Sequence, residues 1–290
     1  MLSVVIGLAS AIIYGAADFL GGLASRRMNT IAVTLVVAVS GLGALALAYP
    51  VVGGVWSPDA ALFGAISGVT GAIGISLLYA CLAIGPMSIL SPLTAVVSAL
   101  VPVTVGLARG EQLTAVGWIA LAVALAAVVL VGFVPEQGAV RPRPLALVMA
   151  VGAGAGIGAF LVLLELTPED SGLIPLFYNR GVNALIMGTA LVLVLLRRRA
   201  TDGSGEARPR NGIRTGLAFA IAAGLVDAAA NLGSLIALRL GDLAVTSVLI
   251  ALYPAGTILL AAAVLRERIA PLQYVGLALA LGASGLFALA

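Results

Sequence analysis

The chain consists of long runs of apolar residues separated by short polar segments. Crossing roughly 30 Å of hydrocarbon takes about 20 apolar residues in a helix, so each run of that length predicts a transmembrane helix. Ten runs qualify: residues 2–24, 31–49, 60–83, 88–108, 115–134, 144–164, 173–196, 215–238, 243–264 and 271–289. Most connections are very short, and only residues 197–214 form a longer polar loop. The pattern predicts an all-α membrane protein.

Composition supports a lipid environment and narrows the chemistry. Of the 290 residues 62% are hydrophobic and 9% are charged, whereas roughly a quarter of a soluble domain is charged. Histidine is absent and Cys81 is the only cysteine, so we predict no metal site, no cofactor and no enzymatic activity. Because the basic residues are scattered among short loops, nucleic-acid binding is not predicted either. The amino terminus lacks a basic segment before its first apolar run, which favours a retained helix over a signal peptide.

The chain also resembles itself. Residues 60–134 align without gaps onto residues 216–290. The informative matches are Phe63/Phe219, Gly68/Gly224, Gly85/Gly241, Ser91/Ser247 and Glu111/Glu267. This predicts two five-helix repeats, residues 1–134 and 144–290, joined by a linker at 135–143. An odd number of helices inverts the second repeat, as in many secondary transporters; chance similarity between apolar segments is the alternative.

The arginines are distributed unevenly between the two sides of the predicted membrane protein. The side opposite the amino terminus, called side B, receives twelve of them: Arg26, Arg27, Arg141, Arg143, Arg197, Arg198, Arg199, Arg208, Arg210, Arg214, Arg266 and Arg268. Side A, which carries the amino terminus, receives only Arg109 and Arg239. The positive-inside rule therefore places side B in the cytoplasm and both termini outside.

Three stretches resemble the EamA-type transporters of the drug/metabolite transporter superfamily. They are LRERIAPLQYVGLALALGASGL (265–286), its weaker counterpart LARGEQLTAVGWIALAVALAAVVL (107–130), and YACLAIGPMSILSPLTAVVSALVPV (79–103). The resemblance implies a ten-helix basket with helices 3, 4, 8 and 9 around a central cavity. It also implies both termini in the cytoplasm, which the arginine distribution contradicts.

Ionisable residues within apolar runs are costly and mark candidate functional positions. Asp227 lies near the centre of the eighth predicted helix, with Asn231 one turn later. A carboxylate at that depth can bind a cationic group or carry a proton, although a structural role is the alternative. Asp18 follows Tyr14 by one turn in the first helix. It is predicted either to line the cavity or to pair with Arg26 or Arg27.

For the other charged residues we predict structural roles. Arg180 in helix 7 matches the estimated depth of Glu165 at the end of helix 6, which predicts an ion pair between them, with anion binding as the alternative. Glu111 and Glu267 occupy equivalent turns of the two repeats. We predict that they cap or pin the turns between helices 4 and 5 and between helices 9 and 10.

Neutral polar residues and prolines complete the predicted site. Hydroxyl groups recur at helical spacing on helices 3, 4 and 9, although such groups often bond only their own backbone. The candidate substrate-binding hydroxyls are Ser76, Tyr79, Ser91, Thr94, Ser98, Tyr253 and Thr257. Prolines that interrupt the backbone ladder are candidate hinges: Pro92, Pro102 and Pro254.

These features predict a secondary active transporter of the bacterial inner membrane. It would export small metabolites, amino acids or drugs by alternating access, with proton antiport as one form of coupling. The alternatives are a flippase for lipids or lipid-linked sugars and a non-transporting assembly or sensor subunit. The expected partners are a small-molecule substrate, protons and membrane lipids, and the protein is expected to be a monomer or a homodimer.

Overall fold

The computed structural model describes residues 1–84, 87–132, 143–201, 212–265 and 270–290. Within the helices, the side chains of residues 79, 82–84, 87–89, 91, 92, 132, 198–201, 261 and 265 are outside the description. The helices are α1 (Leu2–Ser25), α2 (Thr30–Val52), α3 (Pro58–Ile84), α4 (Met87–Ala108), α5 (Ala115–Gly132), α6 (Pro144–Glu165), α7 (Ile174–Thr201), α8 (Ile213–Leu240), α9 (Leu243–Ile250), α10 (Tyr253–Leu265) and α11 (Pro271–Leu289). A short 3₁₀ turn, Glu169–Ser171, precedes α7.

The predicted all-α membrane fold is confirmed. All regular secondary structure in the described residues is helical. Eight segments of that part of the chain are long and apolar enough to cross a membrane, and Leu93–Ala108 and Ala115–Val131 are shorter apolar helices. In the described residues the ninth run differs from the predicted pattern, because a turn at Ala251 and Leu252 divides it into α9 and α10.

Local chemistry explains where several helices begin and end. The Asn29 side chain accepts a hydrogen bond from the Ile31 N–H at 2.9 Å and so caps the start of α2. That helix ends at Gly53, whose φ of +67° is a conformation that side chains disfavour. Pro144 and Pro271 occupy the first positions of α6 and α11, where their missing N–H groups cost nothing.

Small residues bring the helices close together. Along the α1–α8 contact, Gly233 faces Ser10, and Gly241 faces Ser3. Along the α3–α6 contact, a Cβ at Gly74 would lie 2.9 Å from the Ile157 nitrogen, which shows how closely these backbones approach. Such contacts replace the hydrophobic effect as the source of helix association in lipid.

Many contacts between helices occur twice, once between two spans and once between the equivalent spans of the other half of the chain. Helix α1 packs on α8 as α6 packs on α3, and α2 packs on α8 as α7 packs on α3. Likewise α4 packs on α6 as the α9–α10 segment packs on α1. The remaining major contacts, α2 with α7, α4 with α9 and α5 with α11, join equivalent spans to each other.

Loops on side A are joined by specific polar contacts. The Val55 N–H donates to the Asp170 carbonyl at 2.9 Å, which connects the loop after α2 to the loop after α6. Arg239 at the end of α8 donates to the Ser171 hydroxyl at 2.9 Å and to the Pro168 carbonyl at 3.1 Å. These contacts place the loops after α2, α6 and α8 on one face of the protein.

Candidate functional site

A central cavity of about 170 Å³ lies between helices from both halves of the chain. Its lining combines aromatic and aliphatic side chains with several polar and ionisable ones, which is the usual character of a small-molecule site. The lining residues are Tyr14, Asp18, Gly71, Ile75, Leu78, Ser98, Ile157, Phe160, Leu161, Asn179, Arg180, Asn183, Asp227, Asn231, Ile250, Ala251 and Tyr253.

The cavity includes more helices than the sequence predicted. Helices α1, α3, α4, α8 and the α9–α10 segment all contribute, as predicted. In addition, α6 supplies Phe160 and its neighbours, and α7 supplies the polar side chains of Asn179, Arg180 and Asn183. Because α6 packs on both α3 and α4, its aromatic residue reaches the space between them.

An ion pair between Arg180 and Asp227 lies in the cavity wall. The side chains are 10% and 17% exposed, so both are largely removed from solvent. Helix α2 packs against both α7 and α8, and the aliphatic part of Arg180 runs beside its Gly41. At Gly41, α2 lies close to α8, where an added Cβ would be 3.3 Å from the Gly224 carbonyl oxygen. Asn231 lies one turn from Asp227 and donates to its backbone carbonyl at 2.7 Å.

The predicted pairing of Arg180 with Glu165 is therefore wrong. Glu165 pairs instead with Arg109, from the turn after α4. The prediction compared the depths of two Cα atoms along the membrane normal. A comparison of Cα depths does not take account of the length of the arginine side chain.

Asp18 lines the same cavity but has a different environment. Its side chain is exposed, in contrast to the buried pair. Neither of the ion pairs found among the described residues includes Asp18. The alternative prediction, a pair with Arg26 or Arg27, is not what the structure contains. Arg27 instead places its guanidinium over the Phe219 ring, 5.1 Å from the ring centroid.

Two buried polar atoms in the cavity wall lack a hydrogen-bond partner among the described residues, Arg180 Nε and Asn183 Oδ1, whereas the Tyr14 hydroxyl lies beside that of Ser234. Buried polar groups are usually satisfied, so each one calls for a bound water or ligand group. Their neighbour Asn179 is satisfied, because its Nδ2 donates to the Ser67 hydroxyl at 2.9 Å. No sequence signal assigned Asn179 or Asn183 to the site, because the family resemblance places helices 3, 4, 8 and 9, and not helix 7, around the cavity.

Two of the predicted hydroxyl residues, Ser98 and Tyr253, line the cavity. The hydroxyls of three others bond to the backbone away from it. Ser76 donates to the Ala72 carbonyl at 2.7 Å. Thr94 donates to Leu90 and, across to α6, to Ala150. Thr257 donates to the Gly15 carbonyl of α1 at 3.1 Å. The side chains of Tyr79 and Ser91 lie outside the described residues.

The candidate hinges differ from each other in their backbone. Helix α4 continues without a break through Pro102, which packs beside Gly158 of α6. In contrast, the helix break at Ala251 and Leu252 directly precedes Tyr253 and Pro254. The side chain of Pro92 is outside the described part of α4.

Glu111 makes a structural contact between the two halves. Its carboxylate accepts hydrogen bonds from the N–H groups of Leu243 at 2.7 Å and Ala244 at 2.9 Å. These are the first residues of α9, so Glu111 caps that helix, where a negative charge is favourable. The prediction that it acts at the turn between helices 4 and 5 missed this longer-range contact. Glu267 lies outside the described residues.

Comparison with known proteins identifies the family. The model of the EamA-like transporter family matches residues 144–289, which is half of the chain. The chain belongs to the EamA-like transporter family. Membership indicates a multi-pass membrane transporter of the drug/metabolite transporter superfamily, as the sequence resemblance predicted.

The fold of this EamA family member also occurs among solved structures. It superposes on one crystal structure with a TM-score of 0.71, covering 98% of this chain and 97% of that chain. Because the two sequences are only 15% identical, this similarity shows the fold alone. No curated protein matches the chain significantly.

Proposed function

We propose that this family member is a secondary active transporter that exports a small polar or amphipathic metabolite from the bacterial cytoplasm by alternating access. The observation that carries the proposal is the central cavity, in which three ionisable residues, Asp18, Arg180 and Asp227, meet between the two halves of a helical membrane protein. Placing an ionisable group within a membrane protein is energetically costly, and such groups commonly mark the pathways of substrates or protons.

The helix contacts support an inverted repeat. In a protein built from two inverted five-helix units, each contact between spans should recur with the units exchanged, and the major contacts do so. Substrate sites of such transporters lie between the repeats. Alternating access would then interchange the conformations of the two halves, with the cavity opening to each side in turn.

The proposed orientation has side B in the cytoplasm. The Arg109–Glu165 pair and the contacts of Arg239 join loops that the ten-helix count assigns to side A, which supports the phasing on which the arginine count depends. Twelve of the fifteen arginines then face the cytoplasm.

Transport through the cavity is tested by filling it. Gly71 lines the cavity, and a Cβ there would meet only Phe160, at 4.0 Å. In proteoliposomes supplied with labelled amino acids, organic cations and nucleosides, Gly71→Phe should abolish transport of any compound that the wild type moves. The control is Gly43→Phe, at an exposed position where a Cβ has nothing within 4 Å. Undiminished transport by Gly71→Phe would contradict the proposed route.

Orientation is tested by cysteine labelling in intact cells. With Cys81 replaced by serine, one cysteine is placed among residues 202–206 and, in a second variant, at the exposed Glu169 on side A. A membrane-impermeant maleimide should label Glu169→Cys and leave the 202–206 variant unlabelled until the cells are opened. The reverse pattern would place both termini in the cytoplasm.

A further inference from the structure

We propose that Asp18, and not Asp227, holds the charge of the substrate, and that the substrate class is an organic monocation such as a protonated amine or a quaternary ammonium compound. This inference rests on the proposed transport function and assigns the site its chemistry. It reverses the expectation from sequence, in which Asp227 is the principal binding carboxylate.

The balance of charge in the cavity favours a single positive charge. Asp227 and Arg180 neutralise each other as an ion pair, so an ionised Asp18 adds one uncompensated negative charge to the described lining. The two tyrosines of the lining, Tyr14 and Tyr253, are uncharged when protonated. An isolated charge in a low-dielectric site is unfavourable. Binding of one cation would neutralise this charge.

Accessibility also distinguishes the two carboxylates. A ligand cation can reach the exposed Asp18 without displacing any ion-pair partner found in the described residues. To reach Asp227, it must first displace Arg180 and leave that guanidinium unpaired in the wall. Separating a largely buried ion pair costs free energy, so we expect a cation to bind at Asp18 in preference to Asp227.

The aromatic lining selects an organic cation over a hydrated inorganic one. Tyr14, Phe160 and Tyr253 line the same cavity as Asp18. Aromatic faces attract ammonium groups through the cation–π interaction. The aliphatic side chains of Ile75, Leu78 and Ile157 supply the apolar remainder of the wall.

One carboxylate that binds a cation also binds a proton, and the two are mutually exclusive. Protonation of Asp18 removes its attraction for the substrate, so binding should weaken as the pH falls. The titratable or charged groups around Asp18 are Tyr14 on its own helix, Asp227 on α8, Tyr253 on α10 and Arg180 across the cavity. Release of the proton when the cation binds gives proton–substrate exchange without a second site.

The test measures binding of tetraethylammonium to purified protein in detergent by isothermal titration. Asp18→Asn should weaken binding by roughly 10- to 100-fold, the loss expected for a charge-assisted contact. Asp18→Glu should retain most of the affinity, and it controls for misfolding of the asparagine variant. The double variant Arg180→Gln/Asp227→Asn, which keeps the net charge of the wall, should weaken binding less than Asp18→Asn does. As a control outside the cavity, Arg109→Gln/Glu165→Gln should bind within about threefold of wild type.

The pH dependence is a second readout. Wild-type affinity should fall as the pH is lowered and the Asp18 carboxylate takes up a proton, while residual binding by Asp18→Asn should be independent of pH. The zwitterion glycine betaine, which also carries a quaternary ammonium group but together with a carboxylate, should bind more weakly than tetraethylammonium.

Several results would overturn the inference. They are unchanged affinity in Asp18→Asn, a larger loss in Arg180→Gln/Asp227→Asn than in Asp18→Asn, equal affinity for glycine betaine, and no binding of either probe by wild type. Transport of an anionic or neutral metabolite without cation binding would refute the inference and leave the transport function intact. Cation binding that depends on Asp18, in a protein that transports nothing, would refute the transport function alone.

Discussion

The protein contains two arginine–carboxylate pairs whose chemistry is the same and whose surroundings differ. Arg180 and Asp227 lie in the cavity wall, where their side chains are 10% and 17% exposed. Arg109 and Glu165 lie on side A, where the exposed fractions are 47% and 26%. The Arg109–Glu165 pair joins the first half of the chain to the second, and the Arg180–Asp227 pair joins α7 to α8. Only the second pair is largely removed from water.

Burial changes what an ion pair does for a protein. An exposed pair is screened by solvent and contributes about 0–1 kcal/mol. In a buried pair, attraction and desolvation nearly cancel, so the pair itself adds little stability, but the loss of one partner leaves an uncompensated charge. The difference indicates that the Arg180–Asp227 pair sets the charge of the cavity, whereas the Arg109–Glu165 pair connects two loops.

The largest effect is expected from breaking the buried pair on one side only. Arg180→Gln leaves Asp227 unpaired and should lower the free energy of unfolding by about 3 kcal/mol, the lower end of the range for fully buried pairs because the cavity admits some solvent. Asp227→Asn should destabilise by a comparable amount. Unfolding in mixed micelles, followed by circular dichroism, measures both.

The double variant sharpens this interpretation. Arg180→Gln/Asp227→Asn removes both charges and should recover most of the lost stability, so the effects of the single variants should be far from additive. If the double variant loses the sum of the two single effects, the ion pair does not account for the stability of the cavity wall.

A smaller loss is expected at the carboxylate cap of α9. Glu111→Ala removes the acceptor for the Leu243 and Ala244 N–H groups and should destabilise by about 1–2 kcal/mol, as for other helix caps. Glu111→Gln keeps one acceptor oxygen and should lose less. Equal losses in the two variants, measured in the same micelles, would show that the carboxylate hydrogen bonds are not the source of the effect.

The smallest effect is expected on the exposed pair. Arg109→Gln should change the free energy of unfolding by less than about 1 kcal/mol, and 1 M salt should remove most of that difference. A loss as large as that of Arg180→Gln would mean that exposure does not separate the two pairs.

Much of the fold follows from the sequence because lipid imposes a simple rule. A run of apolar residues that must satisfy its own backbone becomes a helix, and ten such runs were visible. The break within the ninth run was only partly visible. Pro254 indicates a disturbed ladder, but the sequence does not show that the helix stops at Ala251 and restarts at Tyr253.

The candidate site was predictable where a single residue is unusual for its surroundings. Asp18, Arg180 and Asp227 are conspicuous because each interrupts an apolar run, and all three line the cavity. The pairing of Arg180 with Asp227 was not predictable, since it depends on how α2 packs against both α7 and α8. The hydroxyls were harder still: Thr94 and Ser98 are one turn apart on α4, and only Ser98 reaches the cavity lining while Thr94 bonds to α6.

The division of the ninth span gives its two parts different mechanical anchors. Glu111 holds the start of α9 to the turn after α4, while Thr257 and the close approach of Gly256 to Gly15 hold α10 to α1. Because Pro254 has no N–H, the Ile250 carbonyl lacks the donor that a continuous helix would supply. The two parts of the ninth span are therefore held by different partners, and one backbone hydrogen bond that would link them in a continuous helix is missing.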